Sequence, residues 1–587
     1  MKYSDVFMTW LRAEGYTHCF YLSGGNVMHL LESASQNFEC IPFVHEVSAG
    51  IAADYFNEVS DGNSRAFVLV TAGPGLTNIV TAIAGAWTES RELLVIGGQA
   101  KVSDLSRSKY RQIGFQEIDG KSLCQGITKE SVIVESQISR EELHELCELT
   151  RAPRKGPVFI EFCLDVSASS YLKEHERNLL EPTIRVAPVP NFDLDSVKSL
   201  ILQSKRPILL IGGGVPRDYD LSGLKEFQLP MATTFNGADR LGFEYPYYCG
   251  RPNWYGSRWS NIIIQQADLV IAVGTRLGLL QTGYNYQSFA PLAKIIHVDI
   301  DKNETSKGFP RTDLILNIDA SQFLESLKTI LVNDLRNDWT SWHQLISIIR
   351  DELAVPDSKN IARENYLEFH GFLFDLFKLC DERDIISPCS SGGTYTGTMQ
   401  VLLNKEGQKI VCSHALASMG YGLPGAIGMS LAYPDRRVVA LEGDGGFAQN
   451  MQELGVIKAQ QNNIKIFISS NRGYASIRNS QKAYFNGHYI GCDELTGLGF
   501  PNWGTLFEAY NIPVMVINTL NAFSSDFLNH FNKPGPTAFI LDLDPEQEYF
   551  PKVGSQINNE GFMESSPLHL MNPPLSDNDY KRYLPYL

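Results

Sequence analysis

The run Glu442-Gly443-Asp444-Gly445-Gly446-Phe447, followed by Ser470-Asn471-Arg472-Gly473, holds residue types that bind a divalent cation and a phosphate. An Asp carboxylate, an Asn amide oxygen and a freed backbone carbonyl are hard oxygen donors. They suit Mg2+, whose octahedral shell is commonly completed by phosphate oxygens. Glycines beside the Asp let a diphosphate approach the backbone, and a following helix offers its free N–H groups. A lone Gly-Asp-Gly is more often an ordinary turn, so the neighbouring elements decide.

Val438 to Leu441 reads as a short buried strand ended by a Gly443-Asp444-Gly445 turn. Apolar Met451, Leu454, Val456, Ile457 and Ala459 give 450–461 helical periodicity. Ile464 to Ile468 is a second buried strand, ending at Ser470-Asn471. Parallel pairing of the two strands would bring Asp444 and Asn471 together at the carboxyl edge of a sheet, where open α/β sheets bind ligands.

Strand and helix patterns alternate along all 587 residues, which predicts an α/β protein. We expect three doubly wound parallel-sheet domains over 1–168, 193–332 and 360–550, and a C-terminal tail over 551–587, rich in Pro, Asn and Ser, that is either a loose wrap or a lid. A polar stretch from Ser167 to Phe192 reads as a linker, and a charged, helical segment from Asn333 to Asn365 bridges to the third domain. A net charge of −16 without a Lys/Arg run argues against nucleic acid or an anionic membrane as partner. Mean hydropathy is −0.14, and no apolar run approaches the ~20 residues that span a bilayer. The ten cysteines show no CxxC pair, and the start Met1-Lys2-Tyr3-Ser4-Asp5 leads into an amphipathic helix rather than a signal peptide, so the expected compartment is the cytoplasm.

The first domain contributes a second set of candidates. Pro42-Phe43-Val44-His45-Glu46 reads as a strand running into a small-residue helix, with Glu46 at its mouth; Leu22-Ser23-Gly24-Gly25-Asn26 lies upstream, and the strand-turn-helix Val68 to Asn78 and the segment Phe115-Gln116-Glu117-Ile118-Asp119 lie downstream. By itself, a Glu in a first helical turn is a partner of the helix dipole.

Together these segments resemble the thiamin-diphosphate-dependent enzymes, in particular their acetolactate synthase branch, over nearly the whole chain up to about residue 545. The resemblance implies that Asp444, Asn471 and the backbone oxygen of Gly473 hold Mg2+. It assigns cofactor contacts to Gly24, Gly25, Ser391, Gly392, Gly393, Thr394, Ser418, Gly443, Gly445, Gly446, Tyr474 and Ala475. Glu46 would meet the aminopyrimidine ring, Met419 would support the bent cofactor, and Gln116 would reach the reacting centre. A carboxylate on the ring nitrogen favours the imino tautomer that removes the thiazolium proton, most strongly in a dry pocket.

The implied function is a carboligase/lyase that decarboxylates a 2-keto acid, pyruvate being the expected donor, and transfers the acyl unit to a carbonyl acceptor. In that family the Glu and the metal site meet across a subunit interface, so the implied minimum is a homodimer, with a tetramer expected. Phe115-Gln116 and Lys129 match the carboligating branch. Departures lie at Gly392-Gly393-Thr394-Tyr395-Thr396, where that branch has Gly-Gln-His-Gln-Met, and at Ser476 and Ser480, with Arg478 between them, where it has Met and Trp. Hydroxyls in place of large apolar groups widen the slot and make it polar, which points to a larger polar keto compound, such as a nucleotide-linked keto-sugar, as acceptor.

Gly212-Gly213-Gly214 after a strand is a glycine turn that could cradle a dinucleotide, without the GxGxxG pattern. Gly274-Thr275-Arg276 and His297-Val298-Asp299-Ile300-Asp301 resemble FAD-contacting segments of acetolactate synthase, while Gly278-Leu279-Leu280-Gln281 departs from them, which leaves FAD open as a further cofactor. His45 and His414 are candidates for proton transfer or for plain hydrogen bonding within their turns. Two other functions stay open on sequence alone: a flavin-linked 2-keto-acid oxidase or decarboxylase, and a catalytically degenerate cofactor-binding subunit.

Overall fold

The computed structural model describes residues 1–107, 109–172, 193–334, 338–557 and 561–587. Most of the expected linker, 173–192, lies outside the described residues. Three parallel sheets carry the fold. The first contains β1 (Tyr16–Tyr21), β2 (Glu39–Pro42), β3 (Arg65–Val70), β4 (Leu93–Gln99), β5 (Glu130–Val134) and β6 (Pro157–Cys163), in the order β2-β1-β3-β4-β6-β5. The second contains β7 (Pro207–Ile211), β8 (Met231–Thr233), β9 (Leu269–Val273), β10 (Lys294–Val298) and β11 (Leu314–Leu316), in the order β11-β10-β9-β7-β8. In the third, β12 (Ile385–Ser387), β13 (Lys409–Ile410), β14 (Val438–Gly443), β15 (Ile464–Ser470), β16 (Val514–Ile517) and β17 (Thr537–Asp542) follow the order β13-β12-β14-β15-β17-β16.

Central strands such as β4, β7 and β9 are buried at every residue, as sheets covered on both faces require. The α/β architecture expected from the alternating pattern is what the chain adopts.

One apolar core joins the first and third sheets. Ile51, Phe56 and Val68 belong to the same buried cluster as Ile427, Leu454 and Ile466. At its centre the helix Glu46–Ser60 crosses the helix Gly422–Ala432 with backbone against backbone. A Cβ added at Gly428 would overlap the Ala52 carbonyl, and one at Gly425 would overlap the Tyr55 ring. Arg217 pins the second sheet to the other two: its guanidinium donates to Glu58 Oε1 and Asp239 Oδ2, both at 2.7 Å, and to the Ile410 carbonyl at 3.4 Å.

The tail is a packed wrap. Lys552–Val553 pairs antiparallel with Met571–Asn572, and Leu568, Met571, Tyr583 and Leu584 are buried in the core of the second sheet. Gln266 Nε2 donates to the Tyr583 carbonyl at 2.8 Å, and Arg258 Nη2 donates to the Pro573 carbonyl at 2.8 Å. The bridging helix Thr340–Leu353 joins the same core through Trp342, Ile346 and Ile349.

Candidate active site

β14 and β15 are hydrogen-bonded neighbours in register Gly443↔Ser469, so Asp444 and Asn471 leave the sheet side by side. The expected turn at 443–445 is not present. Gly443 ends the strand, and Asp444 is the first residue of the helix Asp444–Asn450. The helical pattern over 450–461 is a separate helix, Leu454–Gln460, reached through a tight 3-10 turn. Two glycines follow Asp444 because space is short. A side chain at Gly445 would overlap the Tyr474 ring, and one at Gly446 the Glu442 carboxylate.

Asp444 is 2 % exposed. Its Oδ1 accepts from Gly445 N–H at 2.7 Å, and its Oδ2 from Asn471 N–H at 3.2 Å and Gly473 N–H at 3.1 Å. Burial pushes its carboxyl up to about 7 against these three donors, because a desolvated anion is costly without a cation. Gly473 sits at φ 141° against the Cys492 carbonyl, a backbone geometry and a space that exclude a side chain.

Every polar atom of Asn471 except one has a partner. Its N–H donates to Asp444, its carbonyl accepts from Arg478 Nη2 at 2.8 Å, and its Nδ2 donates to Tyr549 Oη at 3.3 Å. The amide oxygen Oδ1 is buried with no partner. A buried acceptor left unpaired costs roughly 1–3 kcal/mol. An unpaired amide oxygen beside a desolvated carboxylate is a donor set for a hard cation, so these residues fit a Mg2+ ion.

The phosphate side is built by a second helix start. Ser391 precedes the helix Gly392–Val401, whose Gly392 takes φ 77°. Gly393 lies against the Tyr549 ring, Thr394 Oγ1 stands 3.5 Å from the Cβ position of Gly443, and Ser476 Oγ stands 3.9 Å from that of Gly392. Tyr474 N–H donates to the Cys492 carbonyl at 2.8 Å, and Ala475 opens the helix Ala475–Tyr484. Helix starts at Gly392, Asp444 and Ala475 thus gather at one sheet edge, an arrangement that fits a diphosphate.

Beside them, Ser390 Oγ donates to the Ser418 carbonyl, and Met419, 37 % exposed, stands clear of the core. Gly420 is fixed by Asn450 Nδ2, which donates to its carbonyl at 2.7 Å.

At the carboxyl edge of the first sheet, Gly24 packs on the Thr71 side chain and Gly73 on the Gln116 carbonyl, while Asn26 Nδ2 donates to the Phe115 carbonyl at 3.4 Å. Gly25 begins a 3-10 turn, and Gln116 sits at φ 60°. Glu46 opens its helix four residues after β2, is 4 % exposed, and accepts from Asn78 Nδ2 at 3.0 Å. The site therefore divides into two clusters. Gly24, Gly25, Glu46 and Gln116 belong to the first block; Asp444, Asn471, Gly473 and the helix starts at Gly392 and Ala475 belong to the third. Ser48 Oγ links the two blocks by donating to Asn450 Oδ1 at 3.1 Å, and the Glu453 carboxylate accepts from Val44 and His45 N–H at 3.1 and 3.0 Å. Among the described residues, no group of the third block pairs with Glu46 itself.

Several residues take structural places. Lys129 precedes β5, at the opposite edge of the first sheet, where its Nζ donates to the Ala152 and Arg154 carbonyls. Arg478 does not join Ser476 and Ser480 on the outer face of their helix. It is buried and donates to the Asn471, Arg472 and Pro545 carbonyls, which holds the loop after β15. Gly212 and Gly214 are needed where two loops cross: their N–H groups donate to the Val273 and Gly274 carbonyls, and a Cβ at Gly212 would overlap Gly274. That crossing accounts for the glycines without a dinucleotide.

His45 caps its helix, with Nδ1 accepting from Val47 N–H at 3.3 Å. His414 bonds Tyr395 Oη through Nδ1 at 2.9 Å, and burial drives its ring down to about 4. The unfolded chain then binds a proton near pH 6.5 that the fold refuses, so stability present above pH 6.5 is lost as pH falls towards 4. His414→Gln is expected to flatten this dependence in urea unfolding between pH 7 and 4.5; an unchanged slope would assign it to another group.

Asn78 and Tyr549 carry no site role in the sequence reading. Asn78 has a readable signal in its place one turn into the helix after Gly73; Tyr549 lies outside any motif.

Family models agree with this geometry. "Thiamine pyrophosphate enzyme, N-terminal TPP binding domain" matches residues 1–123, the central domain of the same family 194–327, and its C-terminal TPP binding domain 391–540. The chain is 27 % identical over 576 residues to the acetolactate synthase isozyme 2 large subunit of Escherichia coli (strain K12), covering 94 % of this chain and 98 % of that one. It is 28 % identical over 560 residues to the isozyme 1 large subunit of the same organism, covering 94 % and 95 %. With the acetolactate synthase large subunit of Cyanidium caldarium the identity is 28 % over 542 residues, covering 88 % of each.

Proposed function

The chain belongs to the thiamine pyrophosphate enzyme family, in its acetolactate synthase-like branch, and we propose that it is a Mg2+-dependent carboligase that decarboxylates pyruvate and joins the acyl unit to a second carbonyl compound. The unpartnered Asn471 Oδ1 beside buried Asp444 carries the reading.

Asp444, Asn471 and the Gly473 carbonyl would hold Mg2+, and the N–H groups at Gly392 and Asp444 would meet diphosphate oxygens. When bound, thiamin diphosphate supplies the electron sink that lets a 2-keto acid lose CO2. Glu46, desolvated in its helix mouth, would hold a proton at the pyrimidine ring nitrogen. Met419 would support the cofactor's bend, and Gln116 would orient the acceptor.

Glu46 finds its own partner, Asn78, inside the first block, which supports completion of the site by a second copy, in a homodimer or tetramer. Ten unpaired cysteines suit a reducing cytoplasm, and no helix among the described residues is long and apolar enough to cross a membrane.

Ser476 and Ser480 are exposed on the helix beside Gly392, so the acceptor slot presents hydroxyls. A larger polar ketone, such as a nucleotide-linked keto-sugar, fits that slot better than a second pyruvate. Mass spectrometry of reactions with labelled pyruvate and candidate ketones should show a two-carbon gain on the polar ketone, made by a species that sediments as a dimer or larger. Rapid acetolactate formation from pyruvate alone would reject this acceptor.

A further inference from the structure

Tyr549 lies beyond the last strand of the third sheet, outside every motif described above, yet its hydroxyl ends at the metal loop. The ring is wedged between two parts of the site: a Cβ at Gly393 would come within 2.5 Å of Cε2, and the Phe369 and His370 rings stand 5.5 and 5.6 Å away. Its segment is anchored along its length. Asp544 accepts from the Arg363 guanidinium at 2.9 Å, Gln547 Nε2 donates to Glu368 Oε1 at 3.0 Å, and Phe550 N–H donates to Asn360 Oδ1 at 2.8 Å. The hydroxyl is thus placed by rigid surroundings before it meets Asn471 Nδ2 at 3.3 Å.

An Asn amide has two nearly isosteric ends, and a cation tolerates only the oxygen. The backbone bonds of Asn471 to Asp444 and Arg478 fix where the residue sits, but not which way its amide is turned. The geometry points to Tyr549 as the residue that fixes this choice: with its hydroxyl accepting from Nδ2, Oδ1 is left buried, unpartnered and available to an ion. Tyr549 is a positioning residue, acting through Asn471, and this role rests on the metal site proposed above.

The test is Tyr549→Phe, which keeps the ring and removes the hydroxyl, read by calorimetric titration of Mg2+ into protein saturated with thiamin diphosphate. Loss of a group that orients a metal ligand weakens metal affinity by roughly 10-fold or more. The half-saturating Mg2+ concentration should rise by that factor, while the melting temperature without metal stays within about 2 °C of the parent. Unchanged Mg2+ affinity in Tyr549→Phe overturns the inference and leaves the proposed function standing. No Mg2+-dependent uptake by the parent protein overturns both.

A second measurement separates amide orientation from packing. In Asn471→Asp both side-chain ends are oxygens and no choice remains, so adding Tyr549→Phe to that background should change Mg2+ affinity by less than about twofold. A loss there as large as in the parent would assign Tyr549 to packing alone.

Discussion

Asp444→Ala is expected to abolish turnover and to cost the protein its Mg2+-dependent hold on thiamin diphosphate. The carboxylate is the one charged ligand in the set, and its two oxygens accept from three N–H groups that shape the loop around it. Removing a ligand that fixes a catalytic ion forfeits several kcal/mol, about a thousandfold or more in affinity. The apo protein should nevertheless fold, with a lower melting temperature: three N–H groups lose their acceptor at roughly 1–3 kcal/mol each, while Arg478 still holds the loop by its carbonyls. Equilibrium dialysis with radiolabelled cofactor and a thermal melt separate the two effects. Retained cofactor binding in a folded Asp444→Ala protein would remove the metal from the phosphate end of the site.

Glu46→Gln should do the reverse, leaving cofactor affinity within a few-fold of the parent while turnover falls by about two to four orders of magnitude. Gln still accepts from Asn78 Nδ2, so the helix mouth keeps its shape. It cannot exchange a proton with the ring nitrogen. The informative measurement is the split between kcat and cofactor affinity: a variant that turns over at the parental rate would show that the cofactor is activated without a carboxylate and would revive the reading of this chain as a binding subunit.

What could be read from the sequence follows the range of the interactions. Asp444 and Asn471 were legible because each ends a strand whose neighbour is fixed by a short strand–helix–strand unit, and parallel pairing does the rest. The start of the following helix is misplaced because Gly445, with Gly446 beside it, reads as the end of a Gly443-Asp444-Gly445 turn. In the fold they are demanded by the Tyr474 ring and the Glu442 carboxylate, contacts that no local pattern announces. Arg478 sits between two serines in the sequence, but the Asn471 and Arg472 carbonyls of the loop after β15 and the Pro545 carbonyl draw it inward. Tyr549 was invisible, since a loop hydroxyl meeting an amide 78 residues away leaves no periodicity. The tail was ambiguous because its apolar anchors are scattered among prolines and polar residues, and only the core of the second sheet gives them a destination.

Where Gly428 rides on the Ala52 carbonyl, two helices touch with no side chain between them. A joint without intervening atoms leaves no slack for sliding, so the halves it connects must travel together as one lever. Any breathing that admits substrate then falls to other seams of the molecule, and a mutational library should find this chemically idle crossing among the least forgiving places in the chain.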